Sequence, residues 1–300
     1  MEVSSPSCHC RIRTFADDST GPFLTLFRQK YPEIPVTVFL RSTAYDEALR
    51  ALDVAIVHGT YADTTEVQQL VSKHSIVVNV GSSWDTALTG AILRGAQVEA
   101  GEKKKILIHM SGAGNFVDGG KSGNYVPQEH PFNDANPDDV RKIGPAKLNG
   151  AVDELVFKAA SAGIINGFVV CPGGIYGLGS ENAVTNGTTA PSLGVWASWM
   201  VENIINLGFS PYIGEGTAVF PTVHVDDVVQ LMFLVFEKAL NTWDTYKPED
   251  AYNNFYLGVD ERFGAKTHAT AFAEYVSETG KLDSVKIKQV TFEESGSVAR

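Results

Sequence analysis

The sequence predicts an α/β fold built on a doubly wound parallel sheet, with a smaller C-terminal α+β lobe. Three observations predict it. Short, continuous apolar runs recur between Val36 and Val170, as strands buried on both faces require. Helix-like segments separate those runs, and alternation of β and α at this rhythm is the pattern of a doubly wound sheet. After Gly177 the chain changes character and reads as helices with few strands.

In chain order, the candidate first strand is 11–15, RIRTF. It is a poor one. A first strand lies in the middle of such a sheet, where Arg11 and Arg13 would face one covered side, and burying unpaired charge is unfavourable. Two readings stay open: the stretch does not form the usual strand, or the sequence carries an altered N-terminus. The next strands are VTVFL (36–40), the centre of DVAIVHG (54–57), IVVNV (76–80), ILIH (106–109) and the start of FVVCPGGIYG (168–170). Helices are expected at 44–51, 64–73, 86–100 and 145–162. In the last, Leu148, Val152, Leu155, Val156 and Ala159 make an apolar stripe at spacings of three and four. Pro145 suits a first helical turn and Gly163 a helix end. Helices at 193–207, 225–240 and 267–279, with a strand at 254–257, make the second lobe. The expected division is 1–177 for the sheet domain and 178–300 for the lobe, partly interleaved with the sheet.

Composition narrows the function. Twenty-four basic against 35 acidic residues give a net charge of −11, which argues against a nucleic-acid binder or a polybasic membrane anchor. No run approaches the length of a membrane span, and the first twenty residues lack the apolar core of a signal peptide. A cytoplasmic location is expected. Three cysteines do not make a disulfide framework. Cys8-His9-Cys10 has ligand chemistry but no second cluster to complete four ligands, so no metal site is expected. The sequon at Asn186 reads as an ordinary loop in the absence of a secretory signal.

Five ordered motifs carry a resemblance. They are HGTYAD (58–63), IVVNVGSS (76–83), ILIHMSGAG (106–114), VVCPGGIYG (169–177) and VHVDDVV (223–229). Over roughly residues 36–280 the chain resembles the atypical or extended short-chain dehydrogenase/reductase superfamily, and within it the fungal nucleoside-diphosphate-sugar epimerase-like proteins. The resemblance implies a Rossmann-like dinucleotide site. Asp63 would face the adenine, Val80 and Gly81 would run along the nicotinamide ribose, and Pro172 and Ile175 would line the turn after the sixth strand. Ser111 stands at the catalytic serine position. Arg41, closing the second strand, favours the 2′-phosphate of NADP, with NAD the alternative.

Two departures weaken that implication. The family's glycine loop holds the pyrophosphate on backbone amides. Here only Ser19-Thr20-Gly21 survives, and Pro22 has no N–H to offer. Thr20 and Gly21 are the remaining phosphate-loop candidates. The family's Tyr-x-x-x-Lys pair, in which Tyr is general acid/base, aligns with Ile143-Gly-Pro-Ala-Lys147. Lys147 is kept and the tyrosine is not. Tyr125 or His130 is a candidate substitute acid, with an ordinary loop role as the alternative.

The span between Lys158 and Lys238 contains no Lys or Arg. A nucleotide-sugar diphosphate calls for such charge. Trp196, Trp199, Phe209, Tyr212 and Phe220 instead make the region aromatic, either as lobe core or as the wall of a pocket for an apolar or aromatic small molecule. Asp226 and Asp227 read as helix-capping acids. The expected function is an NADP-preferring oxidoreductase or epimerase-like enzyme acting on an uncharged small carbonyl compound, in a fungal specialised-metabolite pathway. The alternative is a catalytically inactive dinucleotide-sensing regulator or scaffold. A monomer or homodimer is expected.

Overall fold

The structure is a computed structural model that describes residues 12–15, 20–116, 122–177 and 195–291. Cys8, His9, Cys10, Asn186 and Ser19 lie outside the described residues, as do the side chains of Arg13, Thr20 and Trp196.

The first half alternates strand and helix. The order is β1 (Ile12–Phe15), α1 (Thr20–Lys30), β2 (Val36–Leu40), α2 (Asp46–Ala51), β3 (Ala55–His58), α3 (Thr64–Ser72), β4 (Ile76–Asn79), α4 (Thr86–Gly95) and β5 (Ile106–Met110). A short α5 (Pro137–Val140) precedes α6 (Gly150–Ser161), β6 (Asn166–Pro172) and β7 (Gly174–Tyr176). The remainder is α7 (Val195–Leu207), β8 (Phe209–Ile213), β9 (Val219–His224), α8 (Val225–Asn241), β10 (Phe255–Gly258), β11 (Glu261–Gly264), α9 (Ala265–Glu278) and β12 (Lys286–Val290).

Seven strands form one sheet in the order β3-β2-β1-β4-β5-β6-β10, every neighbour parallel. The doubtful first strand does form. Ile12 is in register with Val36 on one side and Ile76 on the other, so β1 occupies the centre. Strand periodicity divides the core in two. Val38, Val78, Ile108 and Val170 face Phe23, Leu24 and Phe27 of α1 and Phe233 and Phe236 of α8. Their neighbours Phe39, Val77, Leu107 and Val169 face Val67 and Val71 of α3, Leu88 and Ile92 of α4, and Val156 and Phe157 of α6. Both faces are covered, which is why these strands read as unbroken apolar runs.

Strand β10 extends the main sheet beside β6, and α8 covers that sheet's outer face. Beyond it lie a three-stranded sheet, β11-β9-β7, and the parallel pair β12-β8. Val201 and Ile204 of α7 pack on Val276 of α9.

Three expectations are corrected. Helix α6 starts at Gly150, five residues later than Pro145 suggests. Residues Pro145, Ala146 and Lys147 are exposed, and Gly150 approaches the Gly144 carbonyl so closely that a Cβ would lie 1.9 Å from its oxygen. Leu148 therefore leaves the buried stripe and is 62% exposed. Gly163 does end the helix, at φ +70°. Helix α4 stops at Gly95, short of residue 100. The cap of α8 is His224, whose Nδ1 accepts from the Asp226 N–H at 3.3 Å. Asp226 and Asp227 lie in the first turn and favour the helix dipole without making the cap.

Candidate functional site

Ligands of doubly wound folds bind outside the carboxyl ends of the strands, where the order reverses. Here that edge is formed by the ends of β1, β2, β4, β5 and β6. The side-chain alternation that buries Leu107 on the α6 side also sends His109 there. It does the same to Asn79 in the adjacent register position, and Cys171 shares that face.

These groups meet Asp153, a fully buried carboxylate in the first turn of α6. The Ser111 hydroxyl donates to Asp153 Oδ2 at 2.7 Å, and Asn115 Nδ2 donates to the same oxygen at 2.6 Å. His109 Nε2 stands 3.6 Å from Oδ1. The Asn79 carbonyl oxygen accepts from the Gly81 N–H, which turns its amide nitrogen to His109 Nδ1 at 3.1 Å. The Cys171 thiol is pushed well above its usual range by burial and by the Asp153 charge, with a Ser111 hydrogen bond opposing. A helix N-terminus and charge-assisted hydrogen bonds hold the carboxylate in the interior. This arrangement stores a charge and fixes a hydroxyl. It leaves Ser111, itself buried, with its hydroxyl directed inward.

The residue beside this cluster is Asn149, not Lys147. With the Asn149 amide oriented to pair donors with acceptors, its nitrogen donates to the Gly112 carbonyl at 3.0 Å. Its oxygen accepts from Ser83 Oγ at 2.8 Å and from Trp84 Nε1 at 2.6 Å. The Asn149 backbone N–H donates to Asn115 Oδ1 at 3.1 Å. One buried amide thus ties the loop after β4 to the loop after β5 at the start of α6. Lys147 lies exposed in the preceding turn, and Ile143, at the expected tyrosine position, is buried.

The other predicted residues are dispersed. Tyr125 is 53% exposed, and its backbone N–H donates to Thr217 Oγ1 at 3.1 Å. No described hydrogen bond joins it to Ser111. His130 is exposed in the same long connection. Arg41 is exposed just past β2, its guanidinium 5.0 Å from the centre of the Tyr61 ring. Asp63 caps α3 by accepting the Glu66 N–H at 3.0 Å. Val80 is buried at the end of β4, Pro172 is buried at the end of β6, and Ile175 is half-buried in β7. Gly21 is buried in the first turn of α1, where its carbonyl accepts from Thr25 Oγ1.

The span without Lys or Arg meets cations from later in the chain. Lys266 lies 5.6 Å from the Tyr212 ring centre and Lys288 4.8 Å from that of Phe209. Trp199 is half-exposed on α7. Among the described residues no group of three or more potential ligands is placed to hold a metal, and no helix is long and apolar enough to cross a membrane.

Sequence reasoning missed Asp153, His109, Asn149 and Trp84. A signal existed for two of them. Asp153 stands three, four and seven residues from Val156, Phe157 and Ala160, a carboxylate within a core stripe. His109 interrupts an apolar strand.

The strand order and the covered faces define a Rossmann-like α/β fold. Solved structures of sugar-nucleotide epimerases and dehydratases share it. The PbgP3 protein from Burkholderia pseudomallei superimposes with a TM-score of 0.60 at 13% identity, covering 97% of this chain and 90% of that one. The dTDP-glucose 4,6-dehydratase from Bacillus anthracis, solved in complex with NAD, gives 0.60 at 13%, covering 94% and 85%. The UDP-glucose 4-epimerase from Thermotoga maritima, solved with UDP-glucose, gives 0.55 at 15%, covering 94% and 86%. No protein-family model and no curated protein matches the chain.

Two features of the described residues lie at the carboxyl edge of the sheet. Arg41 offers an exposed cation at the end of β2. At the end of β5, Gly112 and Gly114 leave room for the Asn149 side chain, and a Cβ on Gly114 would come within 2.6 Å of its amide.

Proposed function

We propose that the chain is a nicotinamide-dinucleotide oxidoreductase of the epimerase, dehydratase or reductase kind, preferring NADP and acting on an uncharged small carbonyl compound. The observation that carries this reading is the seven-stranded parallel sheet whose carboxyl edge brings Arg41 to one end of the crevice and the Ser111 loop to the other. The solved relatives of the fold include enzymes that hold NAD. The dinucleotide, when bound, supplies hydride chemistry. Arg41 would bind its 2′-phosphate, the backbone at Val80 and Gly81 its nicotinamide ribose, and Pro172 and Ile175 the ring's far side. Lys147, Tyr125, Thr20, Gly21 and Asp63 stay as further candidates for this work. The substrate is a small apolar or aromatic molecule, its setting a specialised-metabolite pathway in the cytoplasm, and the chain a monomer or homodimer.

A second reading is favoured by one observation. The Ser111 hydroxyl is committed to Asp153, and Ile143 is buried where a tyrosine would stand. On that reading the chain binds the dinucleotide without turning it over and acts as a sensor or scaffold.

Calorimetry and thermal shift with NADPH and NADH on the purified chain, followed by NADPH absorbance across ketones and enones, separate the two. Binding with turnover supports the enzyme. Binding without turnover supports the sensor. A folded chain that binds neither dinucleotide excludes both.

A further inference from the structure

Two of the most exposed large apolar side chains, Trp84 at 64% and Leu148 at 62%, stand on either side of one buried amide at the carboxyl edge. Trp84 follows β4, and Leu148 immediately precedes Asn149. Leu148 lies over Gly114, since a Cβ there would come within 2.7 Å of the leucine Cδ2. An exposed indole on a mobile loop would carry no message. This one is anchored. Its Nε1–H donates to Asn149 Oδ1 at 2.6 Å, and its backbone N–H donates to Ser82 Oγ at 3.3 Å. Asn149 is itself fixed by Gly112, Ser83 and Asn115. The indole is thus gripped by one edge while much of its surface stays open to solvent.

Position selects the ring it would receive. A doubly wound sheet takes one mononucleotide half over its first three strands and the other over the strands beyond the switch point. Trp84 follows β4, on the far half, beside the loop that ends β5. Arg41 follows β2, on the near half. No cation stands among Trp84, Leu148, Asn149, Ser83 and Gly112. That set suits a planar ring.

We propose that Trp84, held by Asn149, is the stacking platform for the pyridine ring of the bound dinucleotide. The proposal rests on the dinucleotide reading above.

The test compares wild type, Trp84→Ala and Trp84→Phe by calorimetry with two probes, NADPH and 2′-phospho-ADP-ribose, which lacks the pyridine. NADH and ADP-ribose serve as a parallel pair. Trp84→Ala is expected to weaken NADPH by roughly tenfold or more, with 2′-phospho-ADP-ribose unchanged. Trp84→Phe is expected to retain most of the affinity, and NADPH is expected to quench a component of indole fluorescence that Trp84→Phe lacks. Unchanged NADPH affinity in Trp84→Ala overturns the proposal and leaves the dinucleotide reading standing. Equal weakening of both probes also overturns it, because the loss would then be structural. Failure of folded wild type to bind any of the four probes overturns both readings together.

Discussion

The Ser111 hydroxyl donates to Asp153 Oδ2 across 2.7 Å, linking the end of β5 to the first turn of α6 inside the protein. Asn115 shares the same oxygen, and His109 faces the other. A carboxylate placed this way joins sheet, helix and loop, and its removal strands two hydrogen-bond donors at once.

Asp153→Ala is therefore expected to destabilise the fold by about 3 kcal/mol, because Ser111 and Asn115 lose their shared acceptor in a dry interior. Ser111→Ala removes one donor and leaves Asn115 on the carboxylate, so its loss is expected nearer 1 kcal/mol. Urea unfolding of the two variants gives the ratio. Equal and negligible effects would show that the carboxylate is not buried in this network.

The central position of β1 is tested by Thr14→Pro. Thr14 is in register with Val38 and Val78, and a proline there removes a ladder donor from a strand paired on both sides. Loss of cooperative unfolding, or a fall of roughly 3 kcal/mol, is expected by circular dichroism melts. A variant as stable as wild type would mean that the first strand adds nothing to the sheet.

Helix α1 is held by aromatic packing. Phe27 is buried, with the Phe236 ring edge-on at 5.2 Å and the Phe23 ring at 5.8 Å. Phe27→Ala is expected to cost about 3–5 kcal/mol through lost burial and the cavity left behind. A loss below about 1 kcal/mol in denaturant titration would place α1 off the sheet.

His268 on α9 packs edge-on to Phe263 at 5.6 Å and near Phe220 at 6.4 Å, and burial lowers its imidazole pKa below 6.5. Lys266 and Thr267 precede it on the same helix. The unfolded chain takes up the proton first as pH falls below about 6.5, so the folded state loses stability on the acid side of that value and regains it above. His268→Gln is expected to flatten the decline between about pH 6.5 and 5. An identical slope in the variant would assign the acid sensitivity to other groups.

The apolar runs at Val36–Leu40 and Ile106–Met110 made the sheet readable, because a strand covered on both faces must be apolar at every position. The Arg-containing first strand was not readable. Its pairing comes from Val36 and Ile76 on neighbouring strands, which local composition does not report. The five motifs carried the fold for the same reason: each marks the end of a strand or the turn after it.

The candidate site divides along the same line. The sequence by itself determined Ser111 at the end of β5, Arg41 at the end of β2, and the absence of a tyrosine at position 143. Only the tertiary structure decided that Asn149 rather than Lys147 meets the β5 loop, that Asp153 receives the Ser111 hydroxyl, and that lysines 266 and 288 cover the aromatic lobe. The reason is geometric. A helix that starts five residues later turns a different side chain toward the sheet, and contacts between segments far apart in the chain leave no periodicity in the sequence of either one.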